Sequence, residues 1–169
     1  FIMLTSYGLD GFAHAAEALT GRAVGRARWD EFAAAVRSAG GFSLAIAAAA
    51  MLAFALGGEA LVALLTDLPE VRATAATYLP WMVLMPLLAV WSYLLDGVFI
   101  GATATREMRN SIFVGLAVYL PLWWLTQPMG NHGLWLAFSA FMLVRSATLG
   151  AYYLHYRRHV WIAGGDHSR

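Results

Sequence analysis

The sequence has no cysteine and no lysine, and only 12% of its 169 residues are charged. Without cysteine there can be no disulfide framework and no thiolate zinc site. So few charges cannot clothe a water-soluble globule, in which about a quarter of residues are normally charged. The net charge of +1 supplies no basic field, so no nucleic-acid partner is expected. No Walker phosphate loop and no G-x-S-x-G elbow occur, which leaves ATP-driven transport and serine-hydrolase chemistry unsupported. No nucleophile–base pair and no metal set is visible, so neither an enzymatic activity, nor a metal, nor an organic cofactor is expected.

What the chain does have is apolar length. It is 60% hydrophobic, with a mean hydropathy of +0.62. A bilayer core of roughly 30 Å needs about 20 apolar residues of helix. Five segments approach or exceed that, at about 1–25, 31–66, 71–103, 108–126 and 131–156. The fold class expected is therefore all-α, a polytopic membrane helix bundle with the lipid bilayer as its surroundings. The helical lobe is expected over 1–158 and a cytoplasmic tail over 159–169. The second segment exceeds a single span, so its first turns, around Arg37 and Ser38, are expected at the interface. Phe1 already lies in an apolar run with no charged n-region and no clean cleavage site. It is not a signal peptide by this pattern; the expectation is a chain that begins inside a helix of a longer product.

The basic residues alternate between connections. Arg22, Arg26, Arg28 and Arg37 surround the first; Arg106 and Arg109 lie at the third; Arg157 and Arg158 follow the last segment. The second sets Asp67 and Glu70 against Arg72, and the fourth, Gln127 to His132, has no arginine. The positive-inside rule then puts the first loop, the third loop and the C-terminus in the cytoplasm. Trp29, Trp123, Trp135, Tyr152 and Tyr153 suit interfacial anchors near span ends.

Charged residues inside the spans are the candidates for function. Asp10 lies twelve residues before Arg22, and Asp96 ten before Arg106. At 1.5 Å per residue that is about 15–18 Å from the cytoplasmic edge, near mid-bilayer. A charge there costs about 2.5–3.5 kcal/mol on insertion scales, and such residues normally face the bundle interior or a water-filled path. A carboxylate so placed can exchange a proton or hold a cation; the alternative is a fixed ion pair or a helix–helix hydrogen bond. His14 and Glu17 follow Asp10 at i+4 and i+7, on one face of the helix. They form either the wall of a transport path or a stripe low enough to reach cytoplasmic water. Arg145, twelve residues before Arg157, stays charged and so needs an acidic partner, Asp96 or Asp10. Pro80 and Pro86 fall inside the third segment, where proline removes a backbone hydrogen bond; a kink above Asp96 suits a gate, and equally a static packing bend. Pro121 and Gly40-Gly41 are ordinary membrane-helix features. Leu9-Asp10-Gly11-Phe12 is echoed by Leu95-Asp96-Gly97-Val98-Phe99, and internal repeats are a common plan of secondary transporters.

These residues carry a family resemblance. Leu9-Asp10-Gly11-Phe12-Ala13-His14-Ala15-Ala16-Glu17-Ala18-Leu19 resembles the eighth-helix segment of the DinF-like branch of the MATE transporters. Leu95 to Thr103, followed by Arg106-Glu107-Met108-Arg109-Asn110, resembles the tenth-helix segment, and Gly133-Leu134-Trp135-Leu136-Ala137 the start of the last helix. The likeness extends from Tyr7 to about Arg158. It implies a twelve-helix protein of two six-helix lobes, related by a pseudo-two-fold axis along the membrane normal, with helices eight to twelve in this chain. It further implies a multi-pass protein of a bacterial inner membrane that exports drugs and metabolites, often organic cations, in exchange for protons or sodium. Its partners would be those small-molecule substrates and an N-terminal lobe outside this chain. Asp96 matches the tenth-helix acid implicated in cation coupling in the NorM branch. The other acids used in the family, on helices seven and one, lie outside this sequence. A flippase for a lipid-linked precursor would call for a more basic interior to hold a pyrophosphate. A non-transporting membrane module is the reading from a different class.

Overall fold

In a computed structural model, residues 2–156 are described, with side chains from Asp10 onward; Arg157, Arg158 and the tail expected over 159–169 lie outside the described residues. Five helices follow one another: α1 (Ile2–Gly25), α2 (Trp29–Leu65), α3 (Pro69–Gly101), α4 (Thr105–Leu125) and α5 (Asn131–Tyr156). A short 3₁₀ turn, Gln127–Met129, precedes α5. The helix starts follow local chemistry. Asp30 and Glu31 sit in the first turn of α2, Glu107 in that of α4, and α3 opens on Pro69 with Glu70 behind it. Acids favour the positive end of the helix dipole, and proline loses nothing at a first helical position.

The two turns that follow α1 and α3 share one design. Ala27 and Thr103 adopt φ of +54° and +57°. Arg28 N–H donates to Ala23 O and Ala27 N–H to Val24 O; Ala104 N–H donates to Phe99 O and Thr103 N–H to Ile100 O. Each pair is a Schellman stop, closed here by a residue with a Cβ rather than by glycine.

α3 is the hub. It packs on α1 and α2 along one side and on α5 along the other, while α4 rests on α5. Glycine allows the α1–α3 contact to close down to backbone. A methyl on Gly97 would fall on the Ala13 carbonyl, and one on Gly101 on the Glu17 carbonyl and the Thr20 hydroxyl. Both contacts pair an α1 residue with the α3 residue 84 positions later, so the two helices run parallel in a fixed register. The echo of Leu-Asp-Gly is therefore not an echo of packing, since a Cβ at Gly11 would meet nothing within 4 Å. On the other side of α3, Met85 and Ala89 pack with Met142, and further along Leu95 and Phe99 pack with Leu149.

The outer surface is apolar. Phe42, Leu56, Phe113 and Trp124 are among many large side chains left exposed, far beyond what a soluble monomer presents. Three helices, α2, α3 and α5, are long and apolar enough to cross a membrane by length and composition. Five spans were expected; five helices form, and three of them qualify, α1 and α4 being less apolar. α1 carries Asp10, His14, Glu17 and Arg22, and α4 begins with Arg106, Glu107 and Arg109. α3 continues through Pro80 and Pro86 as one helical element, with Pro86 fully buried.

Candidate functional site

Asp96 lies on α3 next to Leu95, in the second of the two apolar layers that join it to α5. One arginine nitrogen, Nη2 of Arg145, donates to both of its carboxylate oxygens at 2.7 Å. Only 20% of the Asp96 side chain and 15% of the Arg145 side chain are exposed, so the pair belongs to the bundle interior. The grip is end-on. Nε of Arg145 is buried with no protein partner among the described residues, as are the hydroxyls of Ser92, one turn before Asp96, and of Ser146, beside Arg145. The serines escape sequence reasoning because a lone hydroxyl in an apolar helix carries no pattern; their spacing from the charged pair was the available signal.

Asp10 reaches the same neighbourhood through the α1–α3 register. Ala13 sits against Gly97, so Asp10, three residues before Ala13, stands two residues, about 3 Å along the axis, from the level of Asp96. The Asp10 side chain is half-buried.

The depth of Asp96 has a different origin from the one the sequence suggests. A count of ten residues to Arg106 assumed a continuous helix, but α3 stops at Gly101 and Arg106 belongs to α4. Asp96 is therefore only about 7–8 Å from the end of its own helix. Its neighbours supply the remaining depth. Glu17 is level with Gly101, and α1 then runs eight more residues to Gly25, about 12 Å. Arg145 likewise stands eleven residues before Tyr156. The α3–α4 turn is recessed among longer helices.

His14 and Glu17 lie elsewhere. His14 Nδ1 is 3.4 Å from Glu17 Oε2, with 78% and 38% of the two side chains exposed. They share the helix face expected of them, yet they meet each other on the bundle surface and not the Asp96–Arg145 pair. Pro80 and Pro86 flank a contact without a sequence signal. Trp81 Nε1–H donates to His132 Nδ1 at 2.9 Å, and the Tyr78 ring lies 4.8 Å from the imidazole. A cavity of about 530 Å³ is at the same end of the bundle, between Glu59 and Arg72. Arg72 is engaged there in closing α2, donating to Thr66 O and Ala63 O. No cluster of three or more metal-ligating side chains occurs among the described residues.

Long apolar helices around a buried acid–arginine pair define a multi-pass membrane protein with an ionised interior. A family model described as MatE matches residues 1–125. The chain is also 42% identical over 164 residues to the DNA damage-inducible protein F of Escherichia coli (strain K12), across 96% of this chain and 36% of that relative. The chain belongs to the MatE family, and it spans little more than a third of the length of the curated relative it matches. No solved structure matches it.

Proposed function

We propose that these five helices are part of a MATE-type secondary transporter of a bacterial inner membrane, exporting hydrophobic or cationic solutes in exchange for protons or sodium. The observation that carries the reading is the Asp96–Arg145 pair, sealed between α3 and α5. Isolated charges are expensive in a membrane, and those present normally line ion or substrate pathways. A carboxylate held by a single arginine nitrogen, with a second acid close by, is a site at which a cation can compete for negative charge. Two interior acids against one arginine also favour a cationic or neutral solute over the pyrophosphate of a lipid-linked precursor. Family membership and this charge arrangement favour transport over enzymatic activity.

Arg22, Arg26 and Arg28 lie at the α1–α2 turn, and Arg106 and Arg109 at the α3–α4 turn, both at one end of the bundle. In this reading that end is cytoplasmic, as is the C-terminus. Pro80 and Pro86 lie in the opposite half of α3, where each removes a backbone hydrogen bond. The test is dye efflux by the full-length protein carrying Asp96→Asn. Efflux driven by a pH or sodium gradient should be lost, while unchanged gradient-dependent efflux removes Asp96 from the mechanism and the reading with it.

A further inference from the structure

The cleft between α2 and α3 carries charged groups that the Asp96–Arg145 pair does not use. It holds about 530 Å³ and is lined by Glu59, Ala63, Arg72, Ala73, Ala76 and Leu79 among others. Toward the bilayer centre Leu79 packs directly onto Gly58 and closes it. Its level follows from α2. Glu59 lies 22 residues after Arg37, and no ionisable side chain stands between them. That length of helix is about 33 Å, close to the roughly 30 Å of a hydrocarbon core. Arg37 and Glu59 therefore mark the two edges of the core, and the cleft opens at the level of the lipid headgroups. In the orientation proposed above, these belong to the outer leaflet. Arg72 is fixed in place: Nε donates to Thr66 O, and Nη2 to Ala63 O and Asp67 Oδ1. Of the five N–H donors of a guanidinium, the two on Nη1 have no acceptor among the described residues. Glu59 is exposed, and it makes no hydrogen bond or ion pair among them. The other charges at this end are Asp67, whose side chain is fully exposed, and Glu70 in the first turn of α3, so the rim is negative overall.

We propose that this cleft binds the headgroup of a zwitterionic aminophospholipid, with its phosphate on Arg72 and its ammonium on Glu59. The headgroup carries opposite charges a few bonds apart, and the cleft offers an opposite charge to each. Arginine N–H groups suit phosphate oxygens, and an ammonium donates to a carboxylate, both as charge-assisted bonds. Because backbone carbonyls already hold Arg72, little side-chain freedom is lost when the phosphate arrives. The small side chains of Ala63, Ala73 and Ala76 leave the width that the headgroup occupies. Its acyl chains continue along the apolar surface of α2, where Leu52 and Leu56 are exposed. An anionic lipid with glycerol in place of ethanolamine satisfies Arg72 but leaves Glu59 unmatched, and it adds a charge to a rim that is already negative. The bound lipid touches both helices and so ties the outer end of α2 to that of α3. The site does not depend on any role of Asp96.

The experiment titrates the full-length protein in detergent micelles with phosphatidylethanolamine or phosphatidylglycerol of identical acyl chains and counts bound lipid by native mass spectrometry. Wild type should hold phosphatidylethanolamine about fivefold more tightly, the upper end for one partly exposed ion pair. Glu59→Gln should bring the two lipids to near equality. Glu59 has no polar contact to lose, so the thermal unfolding of Glu59→Gln without added lipid should match wild type. Glu59→Lys sets a second cation beside the phosphate and should turn the preference toward phosphatidylglycerol, a gain that poor folding cannot imitate. Soluble glycerophosphoethanolamine, which has the headgroup but no chains, should not displace the lipid at equal concentration. A wild type without preference, a preference kept in Glu59→Gln or in Glu59→Lys, or displacement by the soluble headgroup overturns the proposal. Transport is not measured, so the transporter reading stands or falls separately on Asp96→Asn.

Discussion

Replacing Gly97 by alanine tests whether α1 and α3 meet at the backbone. A methyl group there would fall on the carbonyl of Ala13, and a carbonyl within a helix cannot swing aside as a side chain can. The two helices must separate or shear. Forcing one extra methyl into a well-packed seam costs about 1–3 kcal/mol, and an unyielding backbone obstacle places Gly97→Ala in the upper part of that range. Gly11→Ala is the matched control. Gly11 holds the same place in the Leu-Asp-Gly echo and is also helical, but a Cβ there meets nothing within 4 Å. Both substitutions gain the same helix propensity, about 1 kcal/mol, so the difference between them isolates the contact. Reversible denaturation of the full-length protein in mixed micelles should place Gly97→Ala about 1–3 kcal/mol below Gly11→Ala. Equal stabilities, or Gly97→Ala the more stable, would refute the packing on which the placement of Asp10 near Asp96 depends.

Two further outcomes concern the ends of the bundle. An indole N–H can only donate, so His132 Nδ1 accepts from Trp81 and the ring carries its proton on Nε2. A double-mutant cycle of Trp81→Phe and His132→Phe should show a coupling of about 1 kcal/mol, the usual net worth of such a bond; zero coupling in the same denaturation assay rejects that contact. At the opposite end, left-handed backbone strains Ala27 and Thr103. Ala27→Gly and Thr103→Gly should each raise stability by about 0.5–1 kcal/mol, the relief of strain less the entropy of the added glycine. A fall in stability in Ala27→Gly would show that its turn is closed in some other way.

The helices were legible because a bilayer demands long apolar runs and these survive intact in the sequence. Their ends were less so. Boundaries expected at 31, 71 and 108 fall at Trp29, Pro69 and Thr105, because capping acids and a first-turn proline lie just outside the apolar run that defined each segment. The α3–α4 turn, expected after Thr103, begins two residues earlier, after Gly101; its left-handed residue is threonine, so no glycine marks the stop. An ionic partner for Arg145 followed from valence alone, since an arginine in a span needs an acid and two were within range. The choice between them was non-local. It depends on how α5 sits on α3, a matter of Met142 and Leu149 docking into separate apolar layers. Periodicity placed His14 and Glu17 within reach of each other, and they are 3.4 Å apart, but it cannot say where along that face a neighbour ends. Trp81 and His132, 51 residues apart and both ordinary near span ends, left no trace in either pattern.

Packing and charge are joined at Asp96 by its neighbour in sequence. A side chain at Gly97 would hold α1 away, and Asp10 would then stand farther from Asp96. With glycine there, the Ala13 carbonyl closes onto α3, which sets the level of Asp10 on α1 close to that of Asp96 on α3. Arg145, reaching across from α5, holds Asp96 on the same helix. A change in the α1–α3 seam therefore changes the electrostatics of the interior, and a change in the charge of the interior changes how firmly α1 and α5 are held to α3.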